Sequence, residues 1–440
     1  MEKTYFIDTY GCQMNVADSE LVKTILNKEG FFPAKNVDCA DAIFVNTCSI
    51  REHAEEKVHS RLGQFNLIKK KRPDVLIGIL GCMAQSLKYD LLEKKPYVDI
   101  ILGPDSYRRL PELLKRKSRD QKNLVDTKLS RFEVYDDLFP SRKEGINAWI
   151  SVMRGCDKFC TFCIVPFTRG RERSRSIEGI LSEATQAVQD GFMEVTLLGQ
   201  NVNSYRYGGK GFHHLIDEVA QVPGLKRIRF TSPHPQDMTD QLLETMARHD
   251  NVCNYVHLPL QAGNNLILKR MNRTYTREHF LKLVDKIRGF LPNMGLSTDI
   301  IVGFPGETDE AFKDTLAVME DVKFDSAFNF KYSQRRGTKA SEYEDQITDE
   351  LKQERLEQVI SLQKKHTLER NRELVGTSQT VMVEKTSKRS QNQWAGRTDS
   401  NKWVIFNKED SQIRDLVQVQ ITEAKGISIR GQMLKRAEAA

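Results

Sequence analysis

The chain lacks any long apolar run. The longest one, residues 75–84, holds ten residues, about half of the roughly 20 that a membrane helix needs. The amino terminus, Met-Glu-Lys-Thr-Tyr-Phe-Ile-Asp, also lacks the apolar core and cleavage site of a secretory signal. With Gly 26 and Pro 13 in 440 residues, collagen-like and low-complexity classes are excluded. We therefore expect a cytoplasmic globular protein of about two to four domains, without a membrane partner.

Basic side chains are only slightly in excess of acidic ones. The net charge is +7, from 67 Lys and Arg against 60 Asp and Glu. Residues 376–440 carry 11 basic and 7 acidic side chains, so this short segment holds +4 of the +7. A basic C-terminal segment indicates a polyanion partner such as nucleic acid, although a merely solvated surface stays open.

Three of the eight cysteines form a compact motif, Cys156-x3-Cys160-x2-Cys163. A cytosolic compartment disfavours disulfides, so clustered cysteines indicate metal binding or catalysis. Structural zinc needs four ligands, and the nearest histidine to this motif is His213. Three thiolates suit an iron–sulfur cluster in which one iron keeps an open position. We favour that reading over zinc and over three unrelated buried thiols.

Residues 1–140 alternate between strand-like and helical patterns, which predicts a doubly wound parallel sheet. The predicted strands are 3–8, 42–47, 75–81 and 98–102, and the predicted helices cover about 17–29, begin near Ile50 and begin near Ala84. Cys12, Cys48 and Cys82 each follow the carboxyl end of one of the first three strands. Because parallel strands end at one edge of a sheet, we expect the three thiols to converge as a second cluster site; three independent buried cysteines are the alternative. We expect Cys39 and Cys253 to be structural.

A second series of strands and helices follows over residues 141–375 and predicts a partial (βα)6 barrel. The predicted strands are 148–153, 194–198, 227–231, 255–260, 296–302 and 327–332; the predicted helices are 177–189, 238–248, 277–290 and 307–320. One long connector helix is expected over 349–374. Residues 376–440 are strand-rich and favour a small OB-like β-barrel, a fold that commonly binds RNA. The expected fold class is thus α/β plus all-β, in three domains, 1–140, 141–375 and 376–440.

Polar and glycine residues end several of the predicted barrel strands. We expect Gly199, Gln200, Ser232 and Gln261 to contact a small-molecule cofactor there. Arginines alternate directly after the cysteine motif, and we expect Arg169, Arg171 and Arg173 to contact nucleic-acid phosphates. A solvated or ion-paired loop is the alternative for these arginines.

The residues Arg154-Gly155-Cys156-Asp157-Lys158-Phe159-Cys160-Thr161-Phe162-Cys163 resemble the radical S-adenosylmethionine superfamily. Over nearly its whole length the chain is similar to the methylthiotransferases of that superfamily, whose six cysteine positions match those above. Three local motifs resemble the group that acts on N6-isopentenyladenosine in tRNA: Tyr10-Gly11-Cys12-Gln13-Met14-Asn15, Thr47-Cys48-Ser49-Ile50-Arg51-Glu52 and Val165-Pro166-Phe167-Thr168-Arg169-Gly170.

This resemblance implies conversion of N6-isopentenyladenosine, next to the tRNA anticodon, to its 2-methylthio derivative. It implies two 4Fe-4S clusters, on Cys12, Cys48 and Cys82 and on Cys156, Cys160 and Cys163. It also implies two molecules of S-adenosylmethionine per turnover, one to methylate a cluster sulfur and one to yield the 5′-deoxyadenosyl radical that takes the hydrogen of carbon 2. No protein acid or base is assigned.

The partners implied are the tRNA anticodon stem-loop, an electron donor such as flavodoxin or ferredoxin, and a sulfur source. We expect Asn15 to contact the RNA together with the three arginines. Two alternatives stay open: the same chemistry on threonylcarbamoyladenosine or on an aspartate of a ribosomal protein, and an RNA-binding protein whose clusters are only structural or redox-sensing.

Overall fold

The computed structural model describes residues 3–48, 52–117, 123–140, 142 and 145–436, with side chains left out at 52–56 and 435–436. The chain divides into two compact units. The first contains Met1–Phe159, Cys163–Glu183 and Leu197–Gln200, and the second contains Cys160–Phe162, Ala184–Thr196 and Asn201–Ala440. The predicted division at residues 140 and 375 rests on changes in the pattern of strands and helices, not on compactness, and stays a prediction. No helix of the described residues is both long and apolar enough to cross a bilayer.

The first unit is built on a six-stranded, all-parallel sheet with the strand order β2-β1-β3-β4-β5-β6. Its elements are β1 (Lys3–Thr9), α1 (Gln13–Lys28), β2 (Phe31–Pro33), β3 (Ala42–Thr47), α2 (Glu52–Lys71), β4 (Leu76–Gly81), α3 (Cys82–Lys94), β5 (Ile100–Leu102), α4 (Leu110–Lys117) and β6 (Leu124–Asp126).

Both faces of this sheet are covered, as its sequence requires. On β3, Ala42 and Phe44 pack into one apolar cluster with Leu26 of α1, whereas Ile43 and Val45 pack into another on the opposite face. Continuous burial of successive strand residues is typical of parallel sheets with helices on both sides. The doubly wound α/β fold is thereby confirmed. The predicted start of the second helix near Ile50 lies outside the described residues.

Between the sheet and the barrel strands, the first unit adds β7 (Asn147–Ser151), β8 (Met153–Arg154), α5 (Val165–Arg169) and β9 (Arg173–Ser174). The strands β8 and β9 pair antiparallel. The cysteine motif occupies the loop from β8 to α5. Two further elements, α6 (Ile177–Gln189) and β10 (Glu194–Leu198), contain residues of both units.

The second unit continues the βα series. Its elements are β11 (Arg206–Tyr207), β12 (Lys210–Gly211), α7 (Phe212–Ala220), β13 (Arg227–Phe230), α8 (Asp240–Arg248), β14 (Tyr255–His257), α9 (Asn265–Arg270), α10 (Arg277–Phe290), β15 (Gly295–Val302), α11 (Asp309–Val322), β16 (Ser326–Lys331) and α12 (Asp349–Arg372). The strands β14, β15 and β16 form a parallel sheet. Side-chain oxygens of Thr239, Thr276 and Thr308 cap the backbone amides at the starts of α8, α10 and α11. The helices α8 and α11 therefore begin two residues after their predicted starts at 238 and 307.

The chain ends in a closed five-stranded barrel with the strand order β17-β18-β19-β21-β20. Its strands are β17 (Ser378–Ser387), β18 (Ser390–Thr398), β19 (Trp403–Asn407), β20 (Leu416–Lys425) and β21 (Ser428–Arg436). Inward-facing Val381, Val404, Phe406 and Val417 form its core. The predicted OB-like barrel is confirmed, and the helix α12 before it has the bounds expected of the connector to within two residues.

A buried ion network holds this barrel against strands of the second unit. Glu194 of β10 accepts hydrogen bonds from Arg229 Nε (3.0 Å) and Arg397 (3.2 Å). Arg229 also donates to the backbone oxygens of Thr398 (2.8 Å) and Asp399 (2.9 Å). Because Glu194 is 1% exposed, its charge depends on these guanidiniums for stabilisation.

Candidate metal centre

The first three cysteines lie at one edge of the parallel sheet. Cys12 follows β1 and directly precedes α1, Cys48 follows β3, and Cys82 follows β4 as the first residue of α3. The three strands are neighbours in the order β1-β3-β4 and run parallel, so their carboxyl ends meet. Cys12 and Cys48 are hydrogen-bonded to each other. The sheet topology therefore brings together three thiols that are far apart in sequence.

Two glycines make this approach possible. Gly11 and Gly81 precede Cys12 and Cys82 and have φ of +117° and +86°, a region that side chains disfavour. A Cβ on Gly11 would lie 2.5 Å from Cβ of Cys48. The Gly-Cys pairs in the sequence thus reflect a backbone that must turn sharply while the thiols stay close.

The site favours a thiolate at Cys12. A hydrogen bond from Cys48 is the main cause that lowers the pKa of Cys12 to about 6, with burial opposing it and Arg169 and the amides of Asn15 and Met14 adding to it. Burial instead raises the pKa of the Cys82 thiol, against the positive charge of Arg169. Metals bind thiolates rather than thiols, so this donor set suits an iron–sulfur cluster.

An arginine pair with one carboxylate lies directly beside these thiols. Arg169 donates from Nε to Sγ of Cys82 (3.2 Å) and from Nη2 to Asp18 (2.8 Å). Arg154 pairs with the other oxygen of Asp18 and stacks over Tyr135 at 4.7 Å. Asp18 is fully buried, and both arginines are 2–3% exposed. The group therefore carries one buried positive charge in excess next to the cysteine sulfurs.

The second cysteine motif begins on a tight turn. Gly155 has φ +79°, and a Cβ there would lie 2.0 Å from the backbone oxygen of Arg171. The amide of Cys156 donates to Gly170 O (3.1 Å). Cys160 belongs to the second unit, where Arg273 donates to its Sγ at 3.2 Å. A guanidinium thus donates to a cysteine sulfur in each of the two motifs.

Among the described residues, no three His, Cys, Asp or Glu side chains are close enough to share one metal ion. That finding concerns mononuclear sites such as zinc, in which every ligand binds the same atom. In a 4Fe-4S cluster each thiolate binds a different iron, which requires wider spacing of the sulfurs. Three cysteine thiols are the donor type that binds such a cluster.

Two of the predicted cofactor contacts have unusual backbone geometry. Ser232 and Gln261 follow β13 and β14 and have φ of +58° and +70°. Such strain in residues other than glycine is typical of ligand sites. The Gln261 side-chain oxygen is buried and has no hydrogen-bond partner within the described part of the chain, and the same holds for the Tyr332 hydroxyl after β16. These orphaned polar atoms suit a polar ligand at the strand ends of the second unit.

The other two predicted cofactor contacts, Gly199 and Gln200, belong to the first unit and follow β10. The side-chain oxygen of Gln200 is buried and unpartnered within the described residues. In this respect it resembles the side-chain oxygen of Gln261, which is also buried without a hydrogen-bond partner among the described residues.

The predicted RNA contacts divide into buried and exposed residues. Arg171 is exposed, pairs with Asp157 (2.5 Å) and lies over the Phe159 ring at 5.1 Å. Arg169 and Arg173 are buried at 3% and 8% exposure, and Arg173 pairs with Asp105 (2.9 Å). This geometry does not support the expectation that Arg169 and Arg173 contact phosphates, because their guanidiniums already face buried carboxylates.

Asn15, also expected to contact RNA, is fully buried. Its side-chain oxygen lies 3.1 Å from Cys12 Sγ, and its amide nitrogen lies 3.1 Å from Asn46. These contacts support a role in orienting Cys12 rather than in touching RNA. Sequence reasoning missed the roles of Asp18, Arg154 and Arg273; the nearness of Asp18 to Cys12 and of Arg154 to Cys156 was the local signal.

The comparisons with known proteins agree with this architecture. Three family models match: "Radical SAM superfamily" at residues 150–319, "Uncharacterized protein family UPF0004" at residues 4–103, and "TRAM domain" at residues 372–434. Solved structures share the fold. The radical S-adenosylmethionine methyltransferase TsrM from Kitasatospora setae has a TM-score of 0.60 at 14% identity, over 78% of this chain and 77% of that one. The enzyme OxsB has a TM-score of 0.57 at 13% identity, over 83% of this chain and 56% of that one.

The fold and the cysteine motifs define a radical S-adenosylmethionine enzyme. Among curated relatives, the tRNA-2-methylthio-N(6)-dimethylallyladenosine synthase of Bacteroides fragilis is 47% identical over 98% of this chain and 95% of its own length. That of Carboxydothermus hydrogenoformans is 45% identical over 98% and 99%. The chain belongs to this family of radical S-adenosylmethionine methylthiotransferases.

Proposed function

We propose that this chain converts N6-isopentenyladenosine, next to the anticodon of tRNA, to 2-methylthio-N6-isopentenyladenosine in the cytoplasm. The observation that carries the proposal is the similarity, over nearly the full length of both chains, to synthases named for this product. The converging cysteines of the first unit support it, because they offer a cluster site besides the one that every radical S-adenosylmethionine enzyme needs.

Cys12, Cys48 and Cys82 would hold one 4Fe-4S cluster, and Cys156, Cys160 and Cys163 would hold the other. When bound, these clusters and two molecules of S-adenosylmethionine would supply the methylthio group and the radical chemistry that the aromatic C–H bond at carbon 2 of adenine requires. That bond has no acidic proton, so side-chain acid–base chemistry cannot activate it, and a cofactor must. We assign no acid or base among the residues of this chain.

The protein's own part is binding and orientation. Gln261 and Ser232 would contact S-adenosylmethionine, since the buried side-chain oxygen of Gln261 lacks a partner in the described structure; Gly199 and Gln200 are further contacts expected from the sequence. Burial of an unpaired amide oxygen costs about 1–3 kcal/mol. A ligand amine or hydroxyl that donates to the Gln261 oxygen removes that cost, which favours binding.

RNA recognition would fall to two features. Phe159, within the cysteine motif, is 42% exposed and stacks with Arg171, an arrangement that suits stacking of an unpaired loop base. In the closed barrel, Lys385 lies over Trp403 at 4.1 Å and Lys408 over Trp394 at 4.0 Å, which places cations beside aromatic rings. An electron donor such as flavodoxin or ferredoxin and a sulfur source complete the reaction.

The substrate is tested by mass spectrometry of tRNA nucleosides from a strain that lacks the gene. We expect loss of the 2-methylthio isopentenyl nucleoside, accumulation of its unthiolated precursor, and restoration by the intact gene. If this nucleoside persists while the 2-methylthio derivative of threonylcarbamoyladenosine disappears, the substrate assignment is wrong. The RNA-binding alternative is tested separately. If anaerobically reconstituted protein forms no 5′-deoxyadenosine with reductant and S-adenosylmethionine, the enzymatic reading fails.

A further inference from the structure

Arg169 differs from the other arginines near the cysteine motifs in what surrounds it. Its side chain is 3% exposed, and its three nitrogens have three different environments. Nε donates to Cys82 Sγ at 3.2 Å and Nη2 donates to Asp18 at 2.8 Å. Nη1 is buried and has no hydrogen-bond partner among the described residues. An unpaired buried N–H of a charged group is costly unless an acceptor is supplied.

The charges around Arg169 do not cancel. Asp18 is shared by Arg154 and Arg169, and the adjacent Arg173 is neutralised by Asp105. One buried positive charge therefore remains, and it lies beside the sulfur of Cys82. A buried charge without a counter-ion is strongly unfavourable, so this charge favours an anionic group, a thiolate or a cluster, at the cysteines.

We propose that Arg169 is a positioning residue of the cluster on Cys12, Cys48 and Cys82, and that its charge raises the reduction potential of that cluster. This inference rests on the proposed function, because it assumes that the cluster is present. Three thiolates make such a cluster anionic, and one-electron reduction adds a further negative charge without breaking a bond. Positive charge and N–H donors at the sulfurs stabilise the reduced state more than the oxidised one.

Asp18 acts on the cluster in the opposite direction. Its carboxylate fixes Arg169 and Arg154 in place and also cancels part of their charge. Loss of the Asp18 charge should leave a larger positive excess and raise the potential, whereas loss of the Arg169 charge should lower it. A purely structural role for these residues gives no reason for opposite signs.

The test uses full-length protein in which Cys156, Cys160 and Cys163 are changed to alanine, so that only the first-unit site can hold a cluster. The protein is reconstituted anaerobically with iron and sulfide. Iron per chain is counted, and the cluster is titrated with dithionite while its paramagnetic resonance signal is recorded. We compare this parent with Arg169→Gln, Arg169→Lys and Asp18→Asn. The matched control is Arg131→Gln, which removes the same charge from an exposed position of the same unit.

For Arg169→Gln we expect the ratio of reduced to oxidised cluster at a fixed potential to fall about tenfold, which equals a shift of about 59 mV to more negative potential. Asp18→Asn should shift the potential to more positive values, and Arg131→Gln should leave it at the parent value. Equal potentials in Arg169→Gln and Arg131→Gln overturn the inference, and so do shifts of the same sign in Arg169→Gln and Asp18→Asn.

If Arg169→Gln loses the cluster, the Arg169→Lys variant, which retains the charge, decides the reason. A cluster that survives with lysine supports the charge argument, whereas its loss in both variants shows that the shape of the side chain matters and overturns it. A parent protein that binds no iron contradicts the two-cluster proposal itself. A parent with a cluster but no shift contradicts only the role of Arg169.

Discussion

The Glu194 network should control how firmly the C-terminal barrel is held within the second unit. The change Glu194→Gln removes the carboxylate that accepts from Arg229 (3.0 Å) and Arg397 (3.2 Å). Arg397 keeps Glu384 (2.5 Å), so Arg229, 5% exposed, is the cation that loses its counter-charge. Breaking a buried pair costs about 3–5 kcal/mol, and this equals a change of about 10²–10⁴ in an equilibrium constant.

We expect this change in the local opening equilibrium of the barrel. The measurement is hydrogen–deuterium exchange of full-length protein, followed by mass spectrometry of peptides from β18 (Ser390–Thr398). The matched control is Glu344→Gln, an exposed acid in the same unit. If exchange of β18 accelerates less than about tenfold over the control, the network does not hold the barrel as reasoned here.

Glu194 also predicts that the stability of the barrel depends on pH in the acid range. Burial raises the pKa of Glu194, but Arg229, Arg397 and Arg227 outweigh burial and hold it below its ordinary value of 4.5. The contribution of Glu194 to stability is therefore complete above pH 4.5 and is lost as the pH falls through the depressed folded value. Protection of β18 in the intact protein should decline in that acid range, and the Glu194→Gln variant should lack this part of the decline.

Three further predictions concern the sites. In Gly155→Ala, the Cβ would lie 2.0 Å from the Arg171 oxygen, so iron should fall from about eight to about four per chain; an unchanged iron content in a metal assay refutes the tight-turn argument. Gln261→Ala should raise the KM for S-adenosylmethionine about tenfold with little change in Tm, because it removes one hydrogen-bond acceptor; steady-state kinetics would show an unchanged KM if Gln261 does not touch the ligand. Affinity for tRNA should fall at least about tenfold between 50 and 200 mM salt, and a filter-binding assay without salt dependence would contradict recognition through phosphates.

Local patterns predicted the elements with strong apolar periodicity. The third strand, β3 (Ala42–Thr47), and the helix α6 (Ile177–Gln189) have the expected bounds, because unbroken apolar runs and amphipathic faces depend on neighbouring residues only. The strands β2 (Phe31–Pro33) and β6 (Leu124–Asp126) were missed. Each has three residues at an edge of the sheet, which is too short for a periodicity to be recognised.

The site was predictable where topology alone decides it. The three cysteines follow β1, β3 and β4, which are parallel neighbours in the sheet, so their thiols lie at one edge. The partners of the arginines were not predictable, because Arg169 meets Asp18 across 151 residues of sequence. The alternating arginines show where positive charge lies along the chain. They do not show whether the fold places a buried carboxylate against each one. For this reason Arg171 stays a candidate for RNA binding, whereas Arg169 and Arg173 belong to the interior.

The first unit includes residues that come after its sheet in the sequence, and this limits where the chain can be truncated without disturbing that unit. A fragment that ends at residue 140 keeps all six strands but lacks Arg154 and Arg169, both of which pair with Asp18. Asp18, fully buried, would then be a carboxylate without a cation. It could reach water only if α1 loosened from the sheet. On the ribosome, likewise, Asp18 gains its two cationic partners only after the chain past Arg169 has been synthesised, well after the sheet itself.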